Sequence, residues 1–385
     1  MARLFGDWLD RRGLVPVRRA AVRSAGALGR AWGRVRPLAR RLGASAWLTR
    51  MAVGAAGFFL FLAAGLVAAG APVNPGSGDR TVFTVQPGQG AGEIAAGLER
   101  SGLIRDRFEF RALCVLFGWE DDLRTGRYEL SPGYSSWRIL RKIRRGEVIT
   151  VSVTIPEGYT FEQIERLLEE RGLTGPGALR QALDDLASRG DIPFLPLDRS
   201  GFIEPYEGLL FPDTYHFEES AGAEVIARTL TRRTKEVFSP ELLERAAELG
   251  LEPFEVLTLA SIIEKEAMVE EERAIISSVY HNRLRIGMKL DACPTVRYVL
   301  KKPPSQPLLY TDLEVVSPYN TYRNAGLPPG PICSPGRASI LAALYPADTD
   351  YFYFVSKNDG THYFSRTVEE HNRAVARYQG GSGGH

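Results

Sequence analysis

Histidine and cysteine are scarce in this chain, which has five histidines and three cysteines in 385 residues. The histidines are scattered, and no His-Glu-x-x-His pattern is present, so we expect neither a metal site nor a cofactor. A Gly-x-Ser-x-Gly nucleophile elbow is also missing. The odd number of cysteines in an exported chain leaves at least one free or intermolecular thiol.

Charged side chains are absent from Met51–Val73, and the 50 residues before this run carry twelve arginines against two acids. Its length matches a hydrocarbon core of roughly 30 Å at about 1.5 Å per helical residue. Arginines beside a span resist translocation. We therefore expect a single-pass membrane protein with a cytoplasmic N-terminus and with everything from about Pro75 onward outside. A buried core helix and a cleaved signal peptide are the alternatives, although the leader is long for a signal.

The formal net charge is +2, of which the first 50 residues contribute about +10. The remainder is therefore acidic by about eight charges. This balance argues against nucleic acid as a partner. The basic segment fits a topology signal and attraction to anionic lipid headgroups.

A weak repeat follows the apolar run. The positions Gly88, Ile94, Leu98, Gly102 and Leu103 recur 70 residues later as Gly158, Ile164, Leu168, Gly172 and Leu173. A partial copy has Gly133, Ile139 and Ile143 at the same spacing. Each copy follows a β-rich stretch and predicts a strand, a Pro/Gly turn and a short amphipathic helix. Small repeated modules are typical of binding or spacing units.

Helical patterns dominate the rest of the chain. We predict helices at Gly177–Arg189, Ala223–Val237, Pro240–Leu249, Pro253–Met268, Glu270–Arg285 and Thr367–Tyr378, and a buried strand at Phe352–Val355. In the Pro253–Met268 helix, Glu266 falls within an apolar arc, Glu264 lies near its margin and Lys265 points to the opposite, polar side. Glu266 is either a helix-end residue that reaches solvent or a partly desolvated carboxyl. Desolvation raises a carboxyl pKa, as a general acid near neutral pH requires.

A second candidate cluster is the loop Ser317-Pro-Tyr-Asn-Thr-Tyr322, which precedes Gly326-Leu-Pro-Pro-Gly-Pro-Ile332 and Ser334-Pro-Gly336. Tyrosine and asparagine on a stiff loop suit a sugar groove, because aromatic faces stack on pyranose rings and amides bond hydroxyl and N-acetyl groups. A rigid surface loop is the alternative.

These motifs, with Leu259-Ala-Ser-Ile-Ile-Glu-Lys-Glu-Ala267, Asn282–Met288, Pro294-Thr-Val296 and Glu207–Tyr215, resemble the endolytic murein transglycosylase family, also called YceG-like or MltG. The resemblance covers roughly residues 50–378 and includes a LysM-like subdomain at the repeats. Together with the expected span, it implies a protein of the bacterial inner membrane with a periplasmic or extracytoplasmic catalytic domain. It implies a peptidoglycan lytic transglycosylase that cuts nascent glycan strands internally, leaves 1,6-anhydro-N-acetylmuramic acid ends, limits strand length and works beside peptidoglycan synthases. A muramidase hydrolase and a non-catalytic peptidoglycan-binding scaffold are the alternatives.

The resemblance assigns the catalytic role to Glu266. Our candidates for substrate contacts are Asn320 and Tyr322, then Tyr319 and Thr321, and Glu207 lines the groove or holds the loop. Cys293 and Cys333 directly precede two of the motifs, and we hypothesise a disulfide between them.

The expected fold class is α+β, with a single transmembrane helix, a LysM-like α/β subdomain and an α+β catalytic domain. The expected segments are a basic cytoplasmic segment (1–50), the transmembrane helix (51–73), a linker (74–80), the LysM-like repeats (81–173), a connecting segment (174–201), the catalytic domain (202–378) and a flexible tail (379–385).

Overall fold

The computed structural model describes residues 52–57 and 70–379. The chain divides into two compact units, one that ends at Ile149 and one that begins at Thr150. Both combine helices with short antiparallel strand pairs, so the fold is α+β. The predicted basic segment 1–50 and most of the predicted tail lie outside the described residues.

The structure corrects the prediction of a transmembrane helix. Among the described residues, no helix is long and apolar enough to cross a membrane. Residues 52–57 are helical, Met51 and residues 58–69 lie outside the described part, and residues 70–73 form turn and bend structure. The carbonyl of Gly70 accepts from the Ser136 amide at 3.1 Å, and that of Pro72 accepts from Arg105 at 2.8 Å. The predicted single span, and the membrane localisation that was based on it, are therefore wrong.

The first unit has the order β1 (Thr81–Val85), α1 (Ala91–Arg100), α2 (Arg107–Phe117), β2 (Gly126–Leu130) and α3 (Ser136–Arg145). Strands β1 and β2 pair antiparallel, with Thr81 opposite Leu130. Helix α2 begins at a clear N-cap, since the Asp106 carboxylate accepts from the Phe108 amide at 2.6 Å. The helices bury one apolar face each around Phe110 and Tyr128.

The second unit begins with β3 (Thr150–Thr154), α4 (Phe161–Glu170), α5 (Ala178–Ser188), β4 (Thr214–Glu218), α6 (Ala223–Val237) and α7 (Pro240–Glu248). It continues with α8 (Pro253–Glu266), α9 (Arg273–Arg285), α10 (Cys293–Leu300), α11 (Arg337–Leu344), β5 (Tyr353–Ser356), β6 (His362–Ser365) and α12 (Val368–Tyr378). Short 3₁₀ turns occupy Glu270–Glu272 and Tyr310–Glu314. Strand β3 pairs antiparallel with β4, and β5 with β6.

The three repeat copies fold as strand, turn and helix: β1 with α1, β2 with α3, and β3 with α4. Gly88 and Gly158 have φ angles of 84° and 75°, a left-handed backbone that glycine adopts without steric cost. The third copy belongs to the second unit, because Val153, Phe161 and Ile164 are part of that unit's core. The chain thus divides inside the segment 81–173 that we expected to be one repeat region.

Helix α8 is the central helix of the second unit. Pro253 occupies its first turn, where no amide hydrogen bond is lost, and the Glu255 side chain accepts from the Glu252 amide at 2.8 Å. Nine of its residues are buried: Phe254 and every residue from Val256 to Ile263. The helix stops at Glu266, because Ala267 turns to an extended conformation with a ψ of 120°. The last helical carboxyl is therefore held at the end of a helix whose middle, from Val256 to Ile263, is completely buried.

Candidate active site

Glu266 lies at the C-terminal end of α8 and faces a cleft of about 700 Å³. This volume falls within the range of roughly 300–1,000 Å³ that is typical of ligand sites. The cleft is lined by Thr160, Glu162, Gln163, Glu165, Arg166, Arg180, Ile203, Glu204, Glu207, Lys265, Glu266, Cys293, Pro294, Arg297, Tyr298, Lys301, Lys302, Pro303, Pro304 and Ile332. Helix α4 of the third repeat copy supplies one wall, and α10 with the segment after it supplies another.

Burial raises the pKa of the Glu266 carboxyl to about 7, against the opposing effects of a hydrogen bond and two cations. The hydrogen bond comes from the fully buried Tyr280, whose hydroxyl donates to Oε1 at 3.3 Å. Arg297 and Arg283 are the cations, and both favour the carboxylate. The helix terminus acts in the same direction as burial, since a negative charge is unfavourable at the C-terminal end of a helix. Glu266 can therefore hold a proton near neutral pH and release it.

Glu264 has a different environment, although it is only two residues away. Its Oε2 accepts from the Ser339 hydroxyl at 2.7 Å and from the Gly336 amide at 3.2 Å. Its Oε1 lies 3.7 Å from Nη2 of Arg273. Glu264 therefore ties α8 to the start of α11 and to α9, whereas Glu266 faces the cleft.

The predicted contact residues of the 317–322 loop divide into buried and accessible side chains. Asn320 is fully buried, and its amide donates to the carbonyls of Leu313 and Val315, both at 2.8 Å. Thr321 is buried, and its hydroxyl accepts from the Ala292 amide at 2.9 Å. These two side chains hold the loop together, so their placement gives the predicted substrate contacts no support.

Two tyrosines belong to this loop. Tyr319 is fully buried against Tyr298, with ring centroids 5.4 Å apart. Tyr322 is only partly buried, and its hydroxyl lies 3.0 Å from the Cys293 sulfur. The negative charge of Glu266 is among the causes that raise the pKa of Tyr322, after burial and the neighbouring thiol. Tyr322 is therefore the accessible tyrosine of this loop, and it contacts the cleft-lining Cys293.

The hypothesis of a disulfide is wrong, because Cys293 and Cys333 are both free thiols. Cys293 is exposed in the cleft beside Tyr322. Cys333 is buried, and its sulfur lies 3.5 Å from the carbonyl of Ser261 in α8. Each thiol therefore has a separate neighbour.

Glu207 holds the base of the cleft. It is buried, and its Oε1 accepts from the Phe161 amide at 2.9 Å at the start of α4. Burial raises the pKa of Glu207 to about 8, although the Phe161 amide opposes the shift. The carboxyl joins the third repeat copy to the motif 207–215.

Sequence reasoning missed Tyr280, Arg297 and the cleft wall on α4. Tyr280 lies within an apolar stretch of α9, and no pattern distinguishes it from a core tyrosine. Lys265 is exposed, as expected for the polar side of the helix, but its side chain also lines the cleft that Glu266 faces. Because the helix ends at Glu266, a helical projection no longer predicts that one of these two residues faces the core and the other faces solvent. Within 52–57 and 70–379, no cluster of three or more metal-ligating side chains is present.

The YceG-like family matches residues 83–377 of this chain, which includes the cleft and both repeat-bearing parts. The chain belongs to the YceG-like family. This membership agrees with the order of the motifs around Glu266, Asn320 and Ser334.

Curated relatives of this YceG-like chain include the endolytic murein transglycosylase of Bacillus subtilis. It is 31% identical over 319 residues, which are 80% of this chain and 87% of that protein. The endolytic murein transglycosylase of Streptococcus pneumoniae is 29% identical over 331 residues, which are 80% of this chain and 60% of that protein.

A solved structure also matches this YceG-like chain. The crystal structure of a yceG-like protein from Listeria monocytogenes is 32% identical, with a TM-score of 0.51. The match covers 77% of this chain and 99% of that one.

Proposed function

We propose that this chain is an endolytic peptidoglycan lytic transglycosylase. It cleaves the bond between N-acetylmuramic acid and N-acetylglucosamine within glycan strands and leaves 1,6-anhydro-N-acetylmuramic acid ends. The observation that carries this proposal is the Glu266 carboxyl, whose pKa burial raises to about 7 in a cleft of about 700 Å³. The names of the curated relatives support the same reaction.

In the proposed mechanism, protonated Glu266 donates its proton to the glycosidic oxygen, which leaves as the free hydroxyl of N-acetylglucosamine. The C6 hydroxyl of N-acetylmuramic acid attacks C1 and closes the anhydro ring. Its proton returns to the Glu266 carboxylate, so the acid is regenerated and no water is consumed. The nucleophile belongs to the substrate and acts at high effective concentration. A carboxyl with a pKa near the working pH suits both transfers.

A hydrolase would use a second carboxylate to activate water or to attack the sugar. Glu264 is engaged by Ser339 and Arg273. Glu207 is buried, and burial raises its pKa to about 8, so this carboxyl is protonated at neutral pH. Both carboxyls are therefore committed to structural contacts. This arrangement favours the single-carboxyl reaction over the muramidase.

The first unit is the proposed strand-holding module. Its order β1, α1, α2, β2 with an antiparallel strand pair supports the LysM-like interpretation of the repeats. A module that holds the strand would let the second unit cut it internally and limit its length during wall synthesis. We propose peptidoglycan synthases as the partners that supply nascent strands.

The test is digestion of purified sacculi by the full chain and by its Glu266→Gln variant, with mass spectrometry of the products. We expect anhydro-ended fragments from the wild type alone. Reducing ends in place of anhydro ends would make the protein a hydrolase. Strands that are bound but left intact by the wild type would support the scaffold instead.

A further inference from the structure

The cleft is rich in cations. Six basic residues line it: Arg166, Arg180, Lys265, Arg297, Lys301 and Lys302. Five acids line it too, but burial raises the pKa of Glu207 to about 8 and that of Glu266 to about 7. At neutral pH the cations therefore outnumber the ionised acids, although the chain beyond the first 50 residues is acidic.

Five of these cations already have partners. Glu162 pairs with Lys301 at 2.9 Å and with Arg166 at 3.6 Å. Lys302 pairs with Asp312 at 2.6 Å, and Arg180 pairs with Glu204 at 2.5 Å. The Arg297 guanidinium donates to two carbonyls, those of Pro303 at 2.8 Å and Gln306 at 2.7 Å.

Lys265 is the exception. Within the described part of the chain it makes no ion pair, although it lines the cleft directly beside Glu266 in sequence. Its Nζ lies against the turn at Gly158, since a Cβ on that glycine would come within 3.2 Å of it. The turn is held in place by two backbone hydrogen bonds between Gly158, Tyr159 and Ser334, both 2.8 Å long. The ammonium group therefore lies beside a fixed backbone turn and has no counter-ion among the described residues.

We propose that Lys265 binds a carboxylate carried by the glycan strand, so that the cleft selects strands with free carboxylates beside the scissile bond. This inference rests on the proposed function and deepens it by naming the recognised group. The carboxylate has two sources: the lactyl group of a strand without peptides, and the stem peptide of a strand that retains them. An ammonium group is a mobile point charge with three donors, which suits either source.

The experiment measures the affinity of fluorescently labelled strands for the full chain by anisotropy. The Glu266→Gln variant serves as background, so that the strands stay intact. Three strand preparations are compared: peptide-bearing, peptide-free, and carboxyl-amidated. Lys265→Gln is compared with Lys265→Arg, which keeps the charge, and with Lys235→Gln, an exposed lysine on α6 that lies outside the cleft.

We expect Lys265→Gln to weaken binding of carboxylate-bearing strands about tenfold, the size of one charge-assisted hydrogen bond. Lys265→Arg should retain most of the affinity, and amidated strands should bind both proteins alike. The preparation that responds identifies the carboxylate as lactyl or peptidic. Equal affinities of Lys265→Gln and its background for carboxylate-bearing strands would overturn the proposal, as would an equal loss with amidated strands. Failure of the proposed function would appear in the wild-type products and not in these affinities.

Discussion

The Tyr280 hydroxyl donates to Oε1 of Glu266 across 3.3 Å, which joins the middle of α9 to the last residue of α8. This hydrogen bond favours the carboxylate and opposes the burial that raises the pKa of Glu266 to about 7. Tyr280 is fully buried, so its hydroxyl position is fixed by packing. The pair therefore sets how readily the candidate acid holds its proton.

Replacing Tyr280 by phenylalanine should raise the pKa of Glu266, because the group that stabilises the carboxylate is lost. Since the reaction begins with protonated Glu266, the rate should fall as pH rises through about 7 in the wild type. In Tyr280→Phe the same fall should occur at higher pH. The measurement is kcat/KM for release of anhydro ends between pH 5 and pH 9.

Tyr345→Phe is the matched control, since this exposed tyrosine lies outside the cleft. An alkaline limb that stays at the same pH in Tyr280→Phe would show that the hydrogen bond does not tune Glu266.

Glu266→Gln should be more stable than the wild type at pH 8. An unfolded glutamate ionises above about pH 4.5, but the folded carboxyl keeps its proton until about 7. The wild type therefore loses stability as pH rises through this window, by at most about 3 kcal/mol. Glutamine carries no such cost. Urea unfolding at pH 4 and pH 8 should show a gap between the two proteins only at pH 8.

Glu264→Gln is the contrasting variant. The substitution weakens the contacts with Ser339 and Arg273 that join α8, α9 and α11. We expect a loss of about 1–3 kcal/mol, because the arginine is left without its ionic partner. If Glu264→Gln and Glu266→Gln changed stability in the same direction at pH 8, the division of roles between the two glutamates would be wrong.

Gly208→Ala should destabilise the second unit by about 2–4 kcal/mol, the range of strained and overpacked sites. Gly208 has a φ of 77°, and a Cβ would lie 2.6 Å from Cβ of Pro331. Gly222→Ala tests the same change where nothing lies within 4 Å. Thermal unfolding of both variants tests this prediction. Equal melting temperatures would contradict the close approach of Gly208 to Pro331.

Cys293 should be the only cysteine of the folded chain that reacts with a maleimide, and the reaction should block glycan cleavage. Its thiol is exposed in the cleft, whereas Cys114 and Cys333 are buried. Although the residue is exposed, partial desolvation by the cleft walls and the charge of Glu266 raise the pKa of the Cys293 thiol. Labelling should therefore accelerate above neutral pH. Mass spectrometry of labelled peptides gives the site. Cys293→Ser should resist inactivation, and inactivation of that variant would place the reactive thiol elsewhere.

Regular elements were largely predictable because their signals are local. Helix α6 has the predicted bounds, Ala223–Val237, and α8 begins at the predicted Pro253. The end of α8 was placed two residues too late, since the turn at Ala267 depends on the chain that follows. The prediction of a span was wrong at its C-terminal side, where the carbonyls of Gly70 and Pro72 accept hydrogen bonds from Ser136 and Arg105.

Sequence by itself determined the strand–turn–helix copies, the helix that carries the two glutamates, and the family, because periodicity and motif order are properties of the chain. Only the tertiary structure decided which of the two glutamates is desolvated in the cleft and which is held by hydrogen bonds. The Ser339 hydroxyl, which donates to Glu264, lies 75 residues away along the chain, and Tyr280 donates to Glu266 from another helix. It also turned Lys265 into the cleft and buried Asn320 in its own loop. Desolvation and hydrogen bonding depend on such distant neighbours, which no local pattern specifies.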